Sequence, residues 1–366
     1  FPRGDRFRYL SGFHAAAQGA LVGRKAEFAQ ITAQWQKTLP VGPAQLVLLT
    51  GEPGIGKSSL VAAWQENLSS TLFLMARAFE PQRNTAYDLW AQLLRASLDE
   101  IGLATMDLST QWLSELASLL PEISRQRPDL PRSLYDDSEL ARGRLMEAIY
   151  QWALALTQIQ PLCLFIDDLQ WSDQASLQVL AHLLEQGESL PLFVIAAQRT
   201  GETPSHWHNT AENLHALGVL HSLPLQRLSL DDVSILLATL NLHPKDPVAF
   251  LHRIYQETAG NPLFVVEMAQ AIHHLDLERT PKLPIPSTIQ GVIRARLSRL
   301  NTQTREILAL ASLLAQDFTA NFLQKTANFT ATKLTQALDE AQKANILLEQ
   351  VSGSYQFSHI KIADVL

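Results

Sequence analysis

The chain has 366 residues, 46% of them hydrophobic and 18% charged, with a formal net charge of −7 and a single cysteine, Cys163. Such a composition fits an ordinary globular protein of two or three domains and excludes a disulfide framework, since the one thiol has no partner. The acidic balance offers no general basic field for nucleic acid, and no apolar run reaches the ~18–20 residues needed to cross a bilayer, so a cytoplasmic protein is expected.

Residues 1–20 are mixed, with Arg3, Arg6 and Arg8 near the start, and read as a tail or the remnant of a preceding domain. A helix is expected over 24–38. Short apolar runs follow at 45–50, 71–76, 161–167, 191–197 and 220–225, separated by helical patterns. Unbroken apolar strands alternating with amphipathic helices predict a five-stranded parallel sheet covered on both faces. The helix-rich stretch of roughly 80–158 reads as an insertion between the second and third strands.

From 226 onward the pattern is helical. Ser229 is placed to cap a helix that opens with acidic residues, and further helices are expected at 246–258 and 262–275. "RTPKLPIPS" (279–287), with three prolines, reads as a linker. Helices at 287–299, 303–314, 319–326 and 330–343 then lead to "ILLEQVSGSYQFSH", two strands about a Ser-Gly turn, which predicts a winged helix. The expected division is therefore 21–225 for the sheet domain, 226–283 for a helical domain and 284–366 for a linker helix and winged helix. The chain lacks an initial Met and stops within the amphipathic stretch "IKIADVL", so we expect a piece of something longer.

The chemistry starts at "GEPGIGKS", residues 51–58, a complete G-x-x-x-x-G-K-S phosphate-loop pattern between an apolar strand and a helix. Gly51, Gly54 and Gly56 let the backbone curl so that successive N–H groups converge on phosphate oxygens, and the following helix adds its positive end. Lys57 is assigned to the β- and γ-phosphates and to catalysis, and Ser58 to Mg²⁺. Pro53, Ile55 and Ser59 complete the expected nucleotide contacts. "CLFIDDLQWSD" ends a strand in two carboxylates: Asp167 is assigned to the metal through water, and Asp168 to activation of the attacking water. An Asp pair at a strand end also commonly just begins a turn. Asp173 reads as a helix cap and Trp171 as packing.

Together these segments resemble the STAND class of P-loop ATPases, signal-transduction relatives of the AAA+ group, and within it the large bacterial ATP-binding regulators of the LuxR type. "ALVGRKAEFAQI" (20–31) resembles the opening motif, which implies that Val22, Gly23 and Arg24 lie along the adenine. "IAAQRTGE" (195–202) resembles the fourth-strand sensor, implying that Arg199 reads the γ-phosphate. "TAGNPLFVVEMAQ" (258–270) resembles the Gly-Asn-Pro motif, implying that Pro262 packs on the nucleotide; by itself it also fits a helix end followed by a proline-started helix. "YQFSHIKIADVL" resembles the end of the winged helix, implying that His359 contacts the β-phosphate of ADP, with Ser358 where arginine is frequent. "ARGRLMEAI" (141–149) fits the helix before the acidic strand, but no chemical role follows for Arg142 or Arg144.

The resemblance implies a slow, Mg²⁺-dependent ATPase that switches between an ADP-bound closed state and an ATP-bound active state. It also implies self-association on activation, and an inducer or inhibitory protein and an effector outside this stretch. Adenine over guanine follows from it too, with no Asn-Lys-x-Asp motif to favour guanine. The candidate recognition helix sets Lys333 and Lys343 against Asp339 and Glu340, so direct DNA binding by this stretch is not expected. No histidine set, His273 and His274 included, has the spacing of a metal site. A ring-forming AAA+ remodeller or loader, or a non-catalytic scaffold stabilised by nucleotide, are the alternatives.

Overall fold

The computed structural model describes residues 21–39, 41–131, 139–186, 190–202, 204, 207–273, 285–313, 317–327, 329–344, 346–350, 354–358 and 360–366. The expected tail over 1–20, the Ser-Gly turn and His359 lie outside the described residues.

Five strands, β1 (Gln45–Gly51), β2 (Leu72–Arg77), β3 (Leu162–Asp167), β4 (Leu192–Arg199) and β5 (Leu220–Pro224), form one sheet in the order β2-β3-β4-β1-β5, with every pairing parallel. All six residues of β3 and all but the last of β4 are buried, which is why these strands read as unbroken apolar runs. Pro224 ends β5 at the sheet edge, where its missing N–H costs no ladder bond. Register matters more for function. It sets Gly51 opposite Arg199 and Arg77 opposite Asp167, so four chemically distinctive residues lie together at the C-terminal ends of the strands.

One face is covered by α1 (Lys25–Thr38) and α2 (Lys57–Gln65), where Trp35, Trp64 and Phe193 meet ring against ring with centroids 5.6–6.1 Å apart. The other carries α3 (Asp88–Glu100), α4 (Thr110–Leu119), α5 (Pro121–Gln126), α6 (Glu139–Ile159), α7 (Gln174–Glu185) and α8 (His208–Ala216). The insertion is thus helical, as its composition predicts, and it packs on the sheet through Trp90 and Trp152. Both indole N–H groups have partners in the core, Trp90 on the Ser176 carbonyl at 3.0 Å and Trp152 on the Ser97 hydroxyl at 3.0 Å. A buried indole without an acceptor would forfeit about 1–3 kcal/mol.

The C-terminal elements are α9 (Leu230–Thr239), α10 (Pro247–Thr258), α11 (Pro262–Ile272), α12 (Ser287–Leu297), α13 (Thr302–Ser312), β6 (Asp317–Thr319), α14 (Ala320–Ala327), α15 (Ala331–Lys343), β7 (Leu347–Glu349), β8 (Ser354–Phe357) and α16 (Ile360–Val365). Ser229 and Asp232 close a reciprocal capping box at the start of α9. Strands β6-β8-β7 form a small antiparallel sheet. The sequence reading missed β6, a three-residue strand too short to show alternation. One cluster of buried side chains runs from Leu228 to Ile362, so the core does not break at the proline-rich segment. Among the described residues no helix is long and apolar enough to cross a membrane.

Two glycines make opposite demands. Gly260 has φ +76° and a Cβ there would overlap the Leu228 carbonyl oxygen, whereas a Cβ at Gly291, inside α12, meets nothing within 4 Å. Gly260→Ala is expected to lower stability by about 1–3 kcal/mol or more, and Gly291→Ala to raise it by about 0.5–1 kcal/mol. Thermal denaturation of the two variants checks both signs.

Candidate nucleotide-binding site

β1 delivers the chain into the loop at Gly51, and the loop turns through Gly54 (φ +78°) and Gly56 (φ +98°) into α2. Gly56 caps α2 without a side chain, so the helix's first N–H groups stay open for a ligand. The Lys57 ammonium lies along the loop, donating to the Gly51 carbonyl at 2.8 Å and the Glu52 carbonyl at 3.1 Å. Burial pulls its pKa from 10.5 down to about 8; Asp167 and Asp168 oppose the shift and Arg199 adds to it. A cavity of about 330 Å³ opens beside this loop. Pro53, Gly54, Ile55, Gly56, Lys57, Ser58 and Ser59 line it. Gly51 does not: it acts through its carbonyl, and a Cβ there would crowd Ile55 Cγ2 at 2.8 Å.

Across the cavity stand the two carboxylates. Asp167 is buried, 5% exposed, and its pKa is raised by that burial and by Asp168, with Arg77 and the Ser58 hydroxyl opposing. Ser58 Oγ lies 3.3–3.4 Å from both carboxylate oxygens of Asp167. Asp168 adopts the left-handed region (φ +55°), which turns its side chain toward Arg77. Arg77 Nη2 and Nε donate to Asp168 Oδ2 at 2.8 and 3.1 Å, Gln170 Nε2 donates to Oδ1 at 2.8 Å, and Arg199 Nε stands 3.8 Å from Oδ1. Asp167, Asp168, Arg77 and Arg199 all line the cavity. Sequence reasoning missed Arg77. A lone arginine ending a strand carries no motif, and only the β2–β3 register brings it to the acidic pair.

Part of the cavity lining is apolar. Val22 and Pro262 belong to it, together with Leu21, Leu228, Leu236, Leu263 and Val266, five residues whose helical or edge spacing reads simply as core. Gly23 is absent from the lining; its Cβ would lie 2.7 Å from Asp232 Cγ, so it is a close-approach residue against α9. Arg24 lines the cavity, but its guanidinium is spent elsewhere. Nη2 donates to the carbonyls of Ile55 (3.0 Å) and Gln226 (2.6 Å), and Nη1 pairs with Glu27 at 3.0 Å. Asp173, as expected of a cap, accepts from Ser176 N at the start of α7.

The start of α11 docks on the phosphate loop. Asn261 Nδ2 donates to the Pro53 carbonyl and Leu263 N to the Gly54 carbonyl, each at 3.2 Å. A Cβ on Gly54 would fall 2.6 Å from Leu263 Cβ, so this docking requires glycine there. Arg227 grips the Glu52 carboxylate with two bonds of 3.0 and 2.9 Å and donates to the Ser358 carbonyl at 3.0 Å. Arg299, just after α12, pairs with Glu202 at 2.9 Å and lies over the Trp171 ring at 5.0 Å. Between these pairs Arg296 is buried, 8% exposed, and among the described residues its Nη2 has no hydrogen-bond partner. Burial holds its pKa below the ordinary arginine range, with Glu52 opposing.

An incompletely satisfied buried cation is costly, and replacing one by an apolar side chain of similar length is often neutral or stabilising by about 1–4 kcal/mol. Arg296→Met is therefore expected to hold or raise the melting temperature of the nucleotide-free protein. A clear fall would show that Arg296 is paired in solution.

Residues 20–195 match the family model described as an AAA ATPase domain. A search of curated proteins matched none. Among solved structures, a Walker-type ATPase of Pyrococcus abyssi is 16% identical over 94% of this chain and 95% of that one, with a TM-score of 0.62. The ORC2 protein of Aeropyrum pernix, in ADPNP–ADP complexes, is 13% identical over 94% and 93%, with a TM-score of 0.53. A STAND protein with a tetratricopeptide repeat sensor from Pyrococcus horikoshii is 15% identical over 94% of this chain and 42% of that one, with a TM-score of 0.40. At these identities the likeness to the first two is one of fold. Residues 20–195 are thus similar to an AAA ATPase domain, and the five parallel strands that begin there and end at Pro224 have the P-loop ATPase fold.

Proposed function

We propose that the chain is the nucleotide-binding module of a STAND-type signal-transduction switch, part of a larger regulatory protein similar to the LuxR-type regulators. In this reading 21–225 is the P-loop domain, 226–283 a helical domain, and 284–366 a linker helix and winged helix, and the transcriptional output lies in the larger protein outside this stretch. ADP holds a closed, inactive arrangement, ATP favours an open, active one, and slow hydrolysis to ADP and phosphate resets it. ATP can shift the balance only by its differential affinity for the two states, typically about 1–3 kcal/mol of coupling.

The observation that carries this reading is the docking of Asn261 and Leu263 on the carbonyls of Pro53 and Gly54. A ligand whose phosphates rest on that loop touches the segment to which α11 is fastened. The Arg227 bridge from Glu52 to Ser358 extends the same coupling to the end of β8. The apolar part of the cavity lining, with Val22 and Pro262, suits an adenine ring. Lys57 holds the β- and γ-phosphates, and Arg199 reads the γ-phosphate.

The Ser58 hydroxyl and the Asp167 carboxylate, two hard oxygen donors 3.3 Å apart, fit Mg²⁺, which takes few protein ligands and keeps phosphate and water oxygens for the rest. Bound there, Mg²⁺ would offset phosphate charge. Asp168 is the residue placed to accept a proton from the attacking water, but here its oxygens already accept from Arg77 and Gln170. That engagement supports a slow ATPase.

The test is to denature the purified chain and identify released nucleotide by chromatography. About one equivalent of ADP surviving gel filtration is expected, and added ADP should raise the melting temperature of any empty fraction. Protein that is empty and unmoved by ADP would overturn the clamp.

Lys57 gives a second check. Its folded pKa lies below the unfolded value of 10.5, at about 8, so the free protein is penalised most below pH 8 and gains stability as pH rises from there toward 10.5. A bound phosphate restores the charge. At pH 8.5, calorimetry in buffers of different ionisation enthalpy should therefore show uptake of roughly half a proton or more on ADP binding. Lys57→Met should abolish that uptake.

A further inference from the structure

Arg142 has no role in the nucleotide cavity. We propose that it belongs to a second binding site, in which Arg83 and Arg142 hold a small carboxylate- or phosphate-bearing anion. The site is a cavity of about 420 Å³ between the segment after β2, the start of α6 and the first turns of α7. Both arginines line it and both are exposed, so an anion can reach them from solvent.

Neither arginine has an ion pair among the described residues. Arg144, two positions from Arg142, pairs instead with Glu115 at 3.1 Å. The one carboxylate in the cavity wall among the described residues, Asp173, is buried, 6% exposed, and its oxygens are already occupied. Oδ1 accepts from Ser176 N at 2.8 Å and Tyr87 N at 3.1 Å, and Oδ2 accepts from Ser176 Oγ at 2.6 Å. Two guanidinium groups thus share one concavity in a chain of net charge −7, with the local carboxylate committed to the backbone. Asn84, Gln174 and Gln178 add neutral polar groups to the wall. Planar guanidinium forks suit carboxylate and phosphate oxygens, with two parallel N–H bonds available from each.

The position gives such a ligand a consequence. Arg83 follows β2, which ends in Arg77, and Asp173 follows β3, which ends in Asp167 just before Asp168. The cavity is therefore built on the continuations of the two strands that bring Arg77 and Asp167 to the nucleotide cavity.

The experiment is isothermal titration calorimetry on the 366-residue chain in excess Mg·ADP at low ionic strength, with inorganic phosphate and succinate as separate probes. Saturable binding of at least one probe is expected, weakened tenfold or more in Arg83→Gln and in Arg142→Gln and lost in the double variant. Arg95→Gln, an exposed arginine of α3 outside both cavities, should bind as the parent does. Phosphate alone would identify a phosphate group as the ligand chemistry, and succinate alone a carboxylate. No saturable binding of either probe, or unchanged affinity in a double variant with the parent's melting temperature, would overturn the proposal. The comparison of variants holds whether or not ADP fills the phosphate loop, because neither arginine lines that cavity.

Discussion

The phosphate loop works because its carbonyl groups are held away from the ligand. Gly51 and Glu52 present their oxygens to the Lys57 ammonium, Pro53 to Asn261, Gly54 to the Leu263 N–H, and Ile55 to Arg24. Five consecutive carbonyls are thus occupied by donors from α1's approach, α2 and α11. Among the described residues no acceptor takes the N–H groups of Gly54, Gly56, Lys57 or Ser58. A tight loop with its oxygens turned out and its N–H groups turned in is an anion cradle by default. Much of the remaining architecture serves this one orientation, including the glycine at 54 that lets α11 come close enough to donate.

Near the loop, the contact between the sheet and the C-terminal helices is mostly polar, with Val22 adding an apolar contact to the C-terminal cluster. Each region has its own apolar core, one pair of clusters on the two faces of the sheet and another running from Leu228 to Ile362. Most of what joins them near the loop is a short set of hydrogen bonds and ion pairs: Asn261, Leu263, Arg227 and Arg299. Partly exposed pairs such as Arg227–Glu52 and Arg299–Glu202 contribute about 0–1 kcal/mol each, far less than burial of a core side chain. A junction of this kind is specific in geometry and modest in energy. A nucleotide worth a few kcal/mol of differential binding is enough to reset it.

Local rules made much of this legible in the sequence. Buried parallel strands read as apolar runs, the phosphate loop as a glycine pattern, and Ser229 and Asp173 as caps, because each depends on residues adjacent in the chain. Non-adjacent geometry was harder to read. Arg77 meets Asp168 only through a strand register, and Leu236 and Val266 face the cavity only because α9 and α11 turn that side toward the loop. Arg24 and Gly23 show the reverse. Both were placed on the nucleotide by their motif, yet Arg24 binds two carbonyls and Gly23 packs against Asp232. A motif names a segment; the partners that each of its side chains takes depend on the packing around it.

The arginines around Asp168 turn a static site into a graded one. Arg77 closes on Asp168, and Arg199 lies between Asp168 and Glu202. A terminal phosphate entering the same cavity carries more charge than either carboxylate and competes for both guanidinium groups. Whatever Arg77 yields to phosphate, Asp168 regains as free lone pairs, and proton acceptance from water requires those lone pairs. Arg199 contributes through Glu202 as well, because that carboxylate is also the anchor of Arg299 at the end of α12. Drawing Arg199 toward a phosphate leaves Glu202 to Arg299 alone. In the proposed switch, terminal-phosphate charge would reach both Asp168 and the C-terminal helices through arginines that already share partners with them.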